Sequence, residues 1–323
     1  MQPVSIISTV LNEIEDIPRL IPCLLAQVPP PAQIIIVDGG STDGTWEWLA
    51  EAAQHNAILQ PIRDESCSLK HCPGPVSRGR NVAIAASTSE IIACVDAGCS
   101  YTPDWMARIT EPIASATAEY ALGGACLDLV DPSIWDLASA PYFGVKTSPD
   151  ELSKSCTARS MAFTKDLWRR VGGFPETVLL GDDTFFDLEA RRATPPAFVN
   201  RAKAFYRPQN SFPAACRQLA RYAASDGILG VRNVRMFRNG GRCLLEVVAI
   251  ACLPWTILPL LVVLAMVGCF AFRPDWRFIS SRGPKALWAR LAFSVCVPWI
   301  IAVNHLRGIV TKKNPSNRQN RGL

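Results

Sequence analysis

The sequence predicts an α/β sandwich with a mostly parallel sheet, followed by a basic, apolar C-terminal third. Three observations carry that prediction. Short β-branched runs alternate with segments of helical apolar spacing over the first hundred residues. Those runs are continuously apolar, as expected of strands buried on both faces. Charge also divides along the chain. Residues 1–200 hold 14 basic and 25 acidic side chains, whereas residues 201–323 hold 19 and 3.

The elements follow in order. Residues 4–8 read as the first strand, and Ile17, Leu20, Ile21, Leu24 and Leu25 fall at helical spacing until Pro29, Pro30 and Pro31 stop the helix. Residues 34–37 form the next strand, after which Ser41 or Asp43 caps a helix over 46–53. A short apolar run at 57–59, a helix over 81–86 and a strand over 91–95 continue the alternation. From 120 to 227 the pattern is less regular, with strand-like segments at 121–129 and 160–163 and helical pieces at 166–171 and 184–191.

The last part begins near Ile228. Residues 243–272 are nearly free of charge, Glu246 excepted, and exceed the ~20 residues needed to cross a bilayer. Pro254 and Pro259 interrupt them, so a kinked span and a re-entrant hairpin both fit. A second apolar run, 291–303, is short for a span and contains Pro298. The loop between the runs carries Arg273, Arg277, Arg282 and Lys285 against Asp275, and the tail carries Arg307, Lys312, Lys313, Arg318 and Arg321. A two-span hairpin would put one basic segment outside, against the positive-inside tendency, so insertion of both segments into one leaflet stands beside it. A buried soluble helix pair is the plain alternative.

Composition narrows the class. At 49% hydrophobic, 19% charged and mean hydropathy +0.15, the chain is too apolar to be disordered. Its Gly 20 and Pro 25 follow no period, which excludes a collagen-like chain. The Cys 12 show no paired framework, and the N-terminus reads without the basic region and apolar run of a signal peptide, so a reducing, cytosol-facing protein is expected. A basic region fits nucleic acid or an anionic membrane, and its place beside apolar runs favours the membrane.

In an open parallel sheet, ligands bind beyond the carboxyl ends of the strands. Thr9 ends the first strand and Asn12 and Glu13 follow it. The second ends in VDGGSTDGT, with Asp38 at its tip, and a later one ends in CVDAG, which puts Asp96 on the same rim. Arg78, Arg80 and Asn81 in SRGRN open a helix and can meet a diphosphate. Taken singly, each Asp is an ordinary turn or cap residue, and the signal lies in their order and spacing.

At these residues the chain resembles the family 2 glycosyltransferases, whose fold is the nucleotide-sugar-binding GT-A fold. The matching pieces are VSIISTVLNE, IIIVDGGSTDGT, SRGRNVAIAAS, CVDAGCSYTPDW, ARSMAFTKDLWRRVGGFPE, GDDTFFDLEARR and QLARY, in the family's order from residue 4 to about 227. The resemblance implies that Thr9 and Glu13 line the nucleobase and ribose pocket, that Asp38 contacts the base, and that Arg80 and Asn81 approach the donor. It implies that Asp96 begins the family's D-x-D element and holds a divalent metal, Mg2+ or Mn2+. Here Gly98 stands where the second Asp is usual. Mg2+ often uses one or two carboxylates with phosphates and water, so one carboxylate can suffice. A degenerate subunit that binds nucleotide sugar without turnover is the other reading that Gly98 leaves open.

GDDTFF resembles the family's Glu-Asp element, with Asp183 matching the catalytic base and Asp182 in place of Glu. For either Asp a helix N-cap is the plain reading. Gln218, Arg221 and Tyr222 form a variant of Q-x-x-R-W, which in polymerising members holds acceptor and diphosphate, and their spacing lets them share one helical face. Cys67, His71 and Cys72 lack a partner pair at zinc-finger spacing and read as loop residues. The stretch Arg232, Arg235, Arg238 and Arg242 reads as a lipid-headgroup contact in preference to an RNA site.

The expectation is an inverting glycosyltransferase with a donor half at 1–125, an acceptor half at 126–227 and a membrane region at 228–323. The resemblance implies a nucleoside-diphosphate sugar as donor and a lipid-linked or saccharide acceptor, with a bacterial inner membrane as the setting; the basic residues beside apolar runs add membrane lipid and no nucleic acid as partners, with the catalytic domain at the cytosolic face. A polyprenyl-phosphate sugar synthase is the nearest alternative enzyme.

Overall fold

The continuous apolar runs become strands of one sheet. The computed structural model describes residues 2–130, 132–146, 157–252 and 281–313, and within 253–280 only Leu261, Leu264, Ala265, Gly268 and Ile279. Packing divides the chain into two compact units, Met1–Asp128 with Gly144–Tyr206, and Leu129–Phe143 with Arg207–Leu323. This is a division by packing, whereas the expected boundaries 1–125, 126–227 and 228–323 are drawn by role.

In chain order the first unit opens with β1 (Val4–Val10), α1 (Ile17–Leu25), β2 (Gln33–Asp38), α2 (Thr45–Gln54), β3 (Leu59–Arg63), α3 (Pro75–Ala86) and β4 (Ile91–Cys94). Then come β5 (Cys99–Ser100), α4 (Trp105–Ala114), β6 (Tyr120–Leu122) and β7 (Ala125–Leu127). The α5 helix (Ile134–Ser139) belongs to the second unit, and β8 (Met161–Thr164), α6 (Lys165–Arg170), α7 (Asp182–Ala193), β9 (Ala197–Phe198) and β10 (Ala204–Tyr206) complete the first. The main sheet runs β3-β2-β1-β4-β8-β6-β9, parallel from β3 to β4, with β8 antiparallel to both β4 and β6. A smaller sheet runs β5-β10-β7.

Both faces of the main sheet are covered. Ile6, Ile34, Ile36 and Ala93 pack with Leu20, Ile21 and Trp105 on one side, and Ile7, Ile35, Val37 and Ile92 pack with Ile84, Phe163 and Phe186 on the other. Side chains alternate between these faces along each strand, so a strand with two buried faces reads as an unbroken apolar run.

Local chemistry moved several boundaries. The α2 helix takes Gly44 as its N-cap, at φ +98°, while Asp43 accepts from the backbone N–H and hydroxyl of Thr45 and Ser41 accepts instead from Asn12 N–H. The α3 helix begins at Pro75, where a fixed φ and a missing N–H cost nothing, so Arg78, Arg80 and Asn81 lie inside the helix and do not open it. The segment 121–129 divides at Gly123 and Gly124 into β6 and β7, which lie in different sheets.

The second unit holds α5, α8 (Phe212–Leu229), α9 (Asn233–Cys252) and α10 (Pro284–Lys313) around Leu219, Ala223, Phe293, Val297 and Ile301. The α8 and α10 helices touch backbone to backbone: a Cβ at Gly227 would strike His305 O, and one at Gly308 would strike Ala224 O. The short apolar run at 291–303 proves to be the middle of α10, a 30-residue helix that continues through Pro298. Ten residues of the 243–272 run close α9, and the rest of that run lies almost wholly outside the described residues.

Candidate active site

The carboxyl ends of β1, β2 and β4 meet at one rim. Thr9 pairs with Val37 and Val10 with Asp38 across β1 and β2, and Val95 N–H donates to Ile7 O as the chain leaves β4. Thr9 is half-buried there. Asp38 is fully buried, and its Oδ1 accepts from the N–H groups of Gly40 (2.8 Å) and Ser41 (2.9 Å). Its Oδ2 is buried without a partner. Glu13, beyond the end of β1, has its carboxyl pushed up to about 7, first by burial and then by Asp16, Asp96 and Asp43.

Arg80 joins the rim to α7. Its Nη2 donates to Asp96 Oδ1 at 2.7 Å and its Nη1 to Asp182 Oδ2, while the guanidinium lies 5.5 Å from the Phe174 ring. Only 5% of the Arg80 side chain is exposed. The α7 helix starts at Asp182 because Gly181 supplies its N-cap at φ +80°. Burial pushes the Asp182 carboxyl up, as do Asp183 and Asp96, and Arg80 pulls it back. Asp183 follows directly, its Oδ1 accepting from Thr184 N–H at 2.6 Å and its Oδ2 from Ala158 N–H at 3.4 Å. Asp96, Arg80, Asp182 and Asp183, read from three separate motifs, thus stand together.

Asn81 anchors a neighbouring turn. Its amide donates to Phe174 O (2.9 Å) and Glu176 Oε1 (3.0 Å) and accepts from Trp168 Nε1 (3.1 Å) and Phe174 N (2.9 Å). Those bonds fill its capacity, so it pins the GGFPE turn and has none left for a donor. Arg78 pairs with Glu176 at 3.1 Å.

Gly98 sits at φ +72°, and a Cβ there would lie 3.4 Å from Asp16 Oδ2. No group of three or more metal-ligating side chains occurs among the described residues. Asp96 keeps Oδ2 outside hydrogen-bond range, 3.9 Å from Arg159 Nε. That hard oxygen fits a divalent cation through one protein carboxylate, with the other ligands coming from phosphate and water.

Gln218, Arg221 and Tyr222 lie on α8 in the second unit. Gln218 Nε2 donates to Tyr222 Oη at 3.1 Å, Tyr222 meets Phe143 edge-on at 6.0 Å, and Arg221 is exposed. Cys67 is a buried thiol, outside any disulfide, and is pushed up to about 11 by burial. The arginine stretch is not one exposed patch: Arg232 and Arg235 pair with buried Asp226 at 3.2 and 4.0 Å, and Arg242 pairs with Glu246 at 3.2 Å. Sequence reasoning missed Arg159, which lay inside a recognised motif but at no position that periodicity or a strand end singles out.

Residues 5–165 match the family model described as Glycosyl transferase family 2. Glycosyltransferase AglE of Haloferax volcanii is 25% identical over 198 residues, covering 59% of this chain and 62% of that protein, so the chain spans less than two thirds of that relative's length. The mannosyltransferase PcManGT from Pyrobaculum calidifontis, solved in complex with GDP-Man and Mn2+, matches with a TM-score of 0.54 at 17% identity, over 97% of this chain and 88% of its own. S. aureus TarS 1-349 in complex with UDP-GlcNAc matches with a TM-score of 0.50 at 15% identity, over 97% of this chain and 92% of its own.

Proposed function

The chain belongs to the family 2 glycosyltransferases, with their GT-A fold, and from that premise we propose that it is an inverting enzyme using a nucleoside-diphosphate sugar. It passes the sugar to a hydroxyl of a lipid-linked or saccharide acceptor at the cytosolic face of a membrane, in polysaccharide or glycolipid assembly. One observation carries this reading: buried Arg80 grips both Asp96 on the strand rim and Asp182 beside Asp183. The donor end and the base are then held on one rigid junction.

Asp38 Oδ2, buried without a partner, is an acceptor left for a nucleobase N–H, and Thr9 and Glu13 lie on and just beyond the neighbouring strand β1. PcManGT was solved with GDP-Man and TarS with UDP-GlcNAc, which supports a donor of this class. Asp183 takes the acceptor hydroxyl proton as that oxygen attacks the anomeric carbon from the face opposite the diphosphate. The bond from that carbon to phosphate oxygen breaks, and its electron pair leaves with the nucleoside diphosphate. A divalent cation, when bound, supplies positive charge beside the diphosphate, and Asp96 is the residue that would hold it.

The second unit supports a membrane setting through its inverted polarity. On α9, Asn239, Arg242 and Glu246 face inward, while Phe237 (70% exposed), Leu244, Val247 and Ile250 face outward. On α10, Arg290 and Ser294 are buried, while Trp288 (71% exposed), Val295, Trp299 and Val303 are exposed. Trp299 Nε1 donates to Glu246 Oε2 at 2.6 Å and Arg242 Nη2 to Ser294 O at 2.7 Å, so the polar groups satisfy one another inside. Lipid favours this arrangement and water does not. At 1.5 Å per residue α10 is about 45 Å long, against about 30 Å of bilayer hydrocarbon.

The test is transfer from a panel of labelled nucleotide sugars by the full chain in detergent, supplied separately with membrane lipid extract and with oligosaccharides. Label entering one of these from a single donor is the expected result. Transfer to a lipid phosphate that Asp183→Asn leaves intact would overturn the hydroxyl-acceptor reading, because a phosphate acceptor needs no strong base.

A further inference from the structure

Two guanidiniums flank Asp96, and they are not equivalent. Arg80 is sealed in, with both its Nη atoms spent on Asp96 and Asp182. Arg159, on the 3-10 turn Ala158–Ser160, keeps 14% of its side chain exposed, and its Nε lies 3.9 Å from Asp96 Oδ2. The guanidinium carbon lies 4.1 Å from the centroid of the Tyr206 ring, and Nη1 donates to Thr157 Oγ1 at 3.2 Å.

The turn is fixed to the rim through one hydroxyl. Tyr101 Oη donates to Arg159 O at 2.9 Å and accepts from Asp96 N–H at 3.3 Å. One residue earlier, Ala158 N–H donates to Asp183 Oδ2. The turn that carries Arg159 therefore touches the base through Ala158, while the Arg159 side chain lies beside the rim carboxylate. In a transfer that runs between those two groups, the bond from sugar to diphosphate has to lie there. Gly98 brings no second carboxylate at the D-x-D position, and the charge of a diphosphate on this rim needs a cationic partner.

We propose that Arg159 is the fixed cation that binds the donor diphosphate and takes up its charge as it leaves. The inference rests on the nucleotide-sugar reading of the same site. A guanidinium suits this role because it is charged at every working pH and its donors form a planar fork that matches phosphate oxygens. The cation–π contact with the Tyr206 ring restrains the group in advance. It exchanges no proton in the step. The acceptor proton goes to Asp183, and the electron pair of the breaking bond goes to the phosphate oxygen that Arg159 faces.

The experiment is calorimetric titration of the full chain in detergent with UDP, GDP, ADP, CDP and dTDP, each beside its nucleoside, in Mn2+ and again in EDTA. Wild type, Arg159→Ala and Arg159→Lys are compared, with circular dichroism to check folding. For the nucleotide that binds wild type, Arg159→Ala is expected to weaken diphosphate binding at least about tenfold in both buffers while leaving nucleoside binding within about twofold. Arg159→Lys should fall between. With the cognate donor, Arg159→Ala should lower kcat by roughly 100-fold, the size of effect seen when one charge-stabilising donor is lost. Equal losses for diphosphate and nucleoside would overturn the proposal, as would no loss at all. A loss seen only in Mn2+ would also overturn it, because Arg159 would then act through Asp96 and the metal. If wild type binds none of the five, the nucleotide-sugar reading itself falls, which is a different failure from a wild type that binds and an Arg159→Ala variant that binds equally well.

Discussion

Replacing Arg80 with Met removes one cation from between two carboxylates and keeps most of its volume. Arg80 exposes 5% of its side chain and Asp182 11%, so little water is available to take over the lost pairing at that end. Removing one partner of such a buried pair costs about 3–5 kcal/mol, because the charge left behind is stranded. Asp96 keeps 30% of its side chain exposed and can be rehydrated, so most of the loss arises at Asp182. For a unit of about 150–250 residues, that is a fall of roughly 6–20 °C in Tm. The pH dependence has a definite sign. Without Arg80 the folded-state pKa of Asp182 rises further above its unfolded value, so the variant binds a proton in the folded state that the unfolded chain has released. Its stability is therefore retained below the ordinary carboxylate range and lost as pH rises through the raised value. Urea unfolding of the full chain between pH 5 and pH 8 should show the deficit widening with pH. The double variant Arg80→Met, Asp182→Asn should recover most of it. A loss below about 1 kcal/mol that stays flat with pH would refute the claim that this junction holds the site together.

Three further outcomes follow. Glu13→Gln should stabilise the donor-free protein at pH 8 and leave it unchanged at pH 4, since the wild-type carboxyl titrates near 7 in the fold and loses stability as pH climbs from about 4.5 to 7. Solvent screening at this partly exposed group reduces the gain to on the order of 1 kcal/mol, read from unfolding curves at the two pH values. Gly308→Leu should separate α8 from α10 and cost at least about 1–3 kcal/mol, seen as an early unfolding step of the second unit, with smaller losses for Gly308→Ala. Flotation with anionic vesicles should carry the wild type upward, and Trp288→Glu with Phe237→Glu should leave much of the protein at the bottom, each charge opposing insertion by about 2–3 kcal/mol.

The rim was legible because its chemistry coincides with strand ends. An unbroken apolar run followed by Asp, as at Asp38 and Asp96, announces both a buried parallel strand and the place where that strand stops. Asp183 was legible for a similar reason, because a Gly-Asp-Asp start to a helix is a local pattern. Asn81 was not legible, since its four partners come from Trp168, Phe174 and Glu176, roughly ninety positions away. Arg159 escaped for the same cause: its environment is made by Asp96, Tyr101 and Tyr206, which only the folded sheets bring together. The start of α3 was hidden by prolines and glycines that read as a loop, although Pro75 occupies a favourable first helical position. The length of α10 was hidden by Pro298 and by Arg290, which looks like the edge of an apolar run and is buried in the second unit.

In the proposed reaction the rim of β1, β2 and β4 spends a nucleotide sugar through Asp183. The measurement that tests it most directly is release of nucleoside diphosphate from the cognate donor by wild type and Asp183→Asn, with donor affinity titrated in parallel. Turnover is expected to fall about 100- to 10,000-fold in Asp183→Asn, with donor affinity unchanged within about twofold. Turnover that persists in Asp183→Asn, or a donor that wild type binds and never consumes even with membrane lipid present, would contradict it.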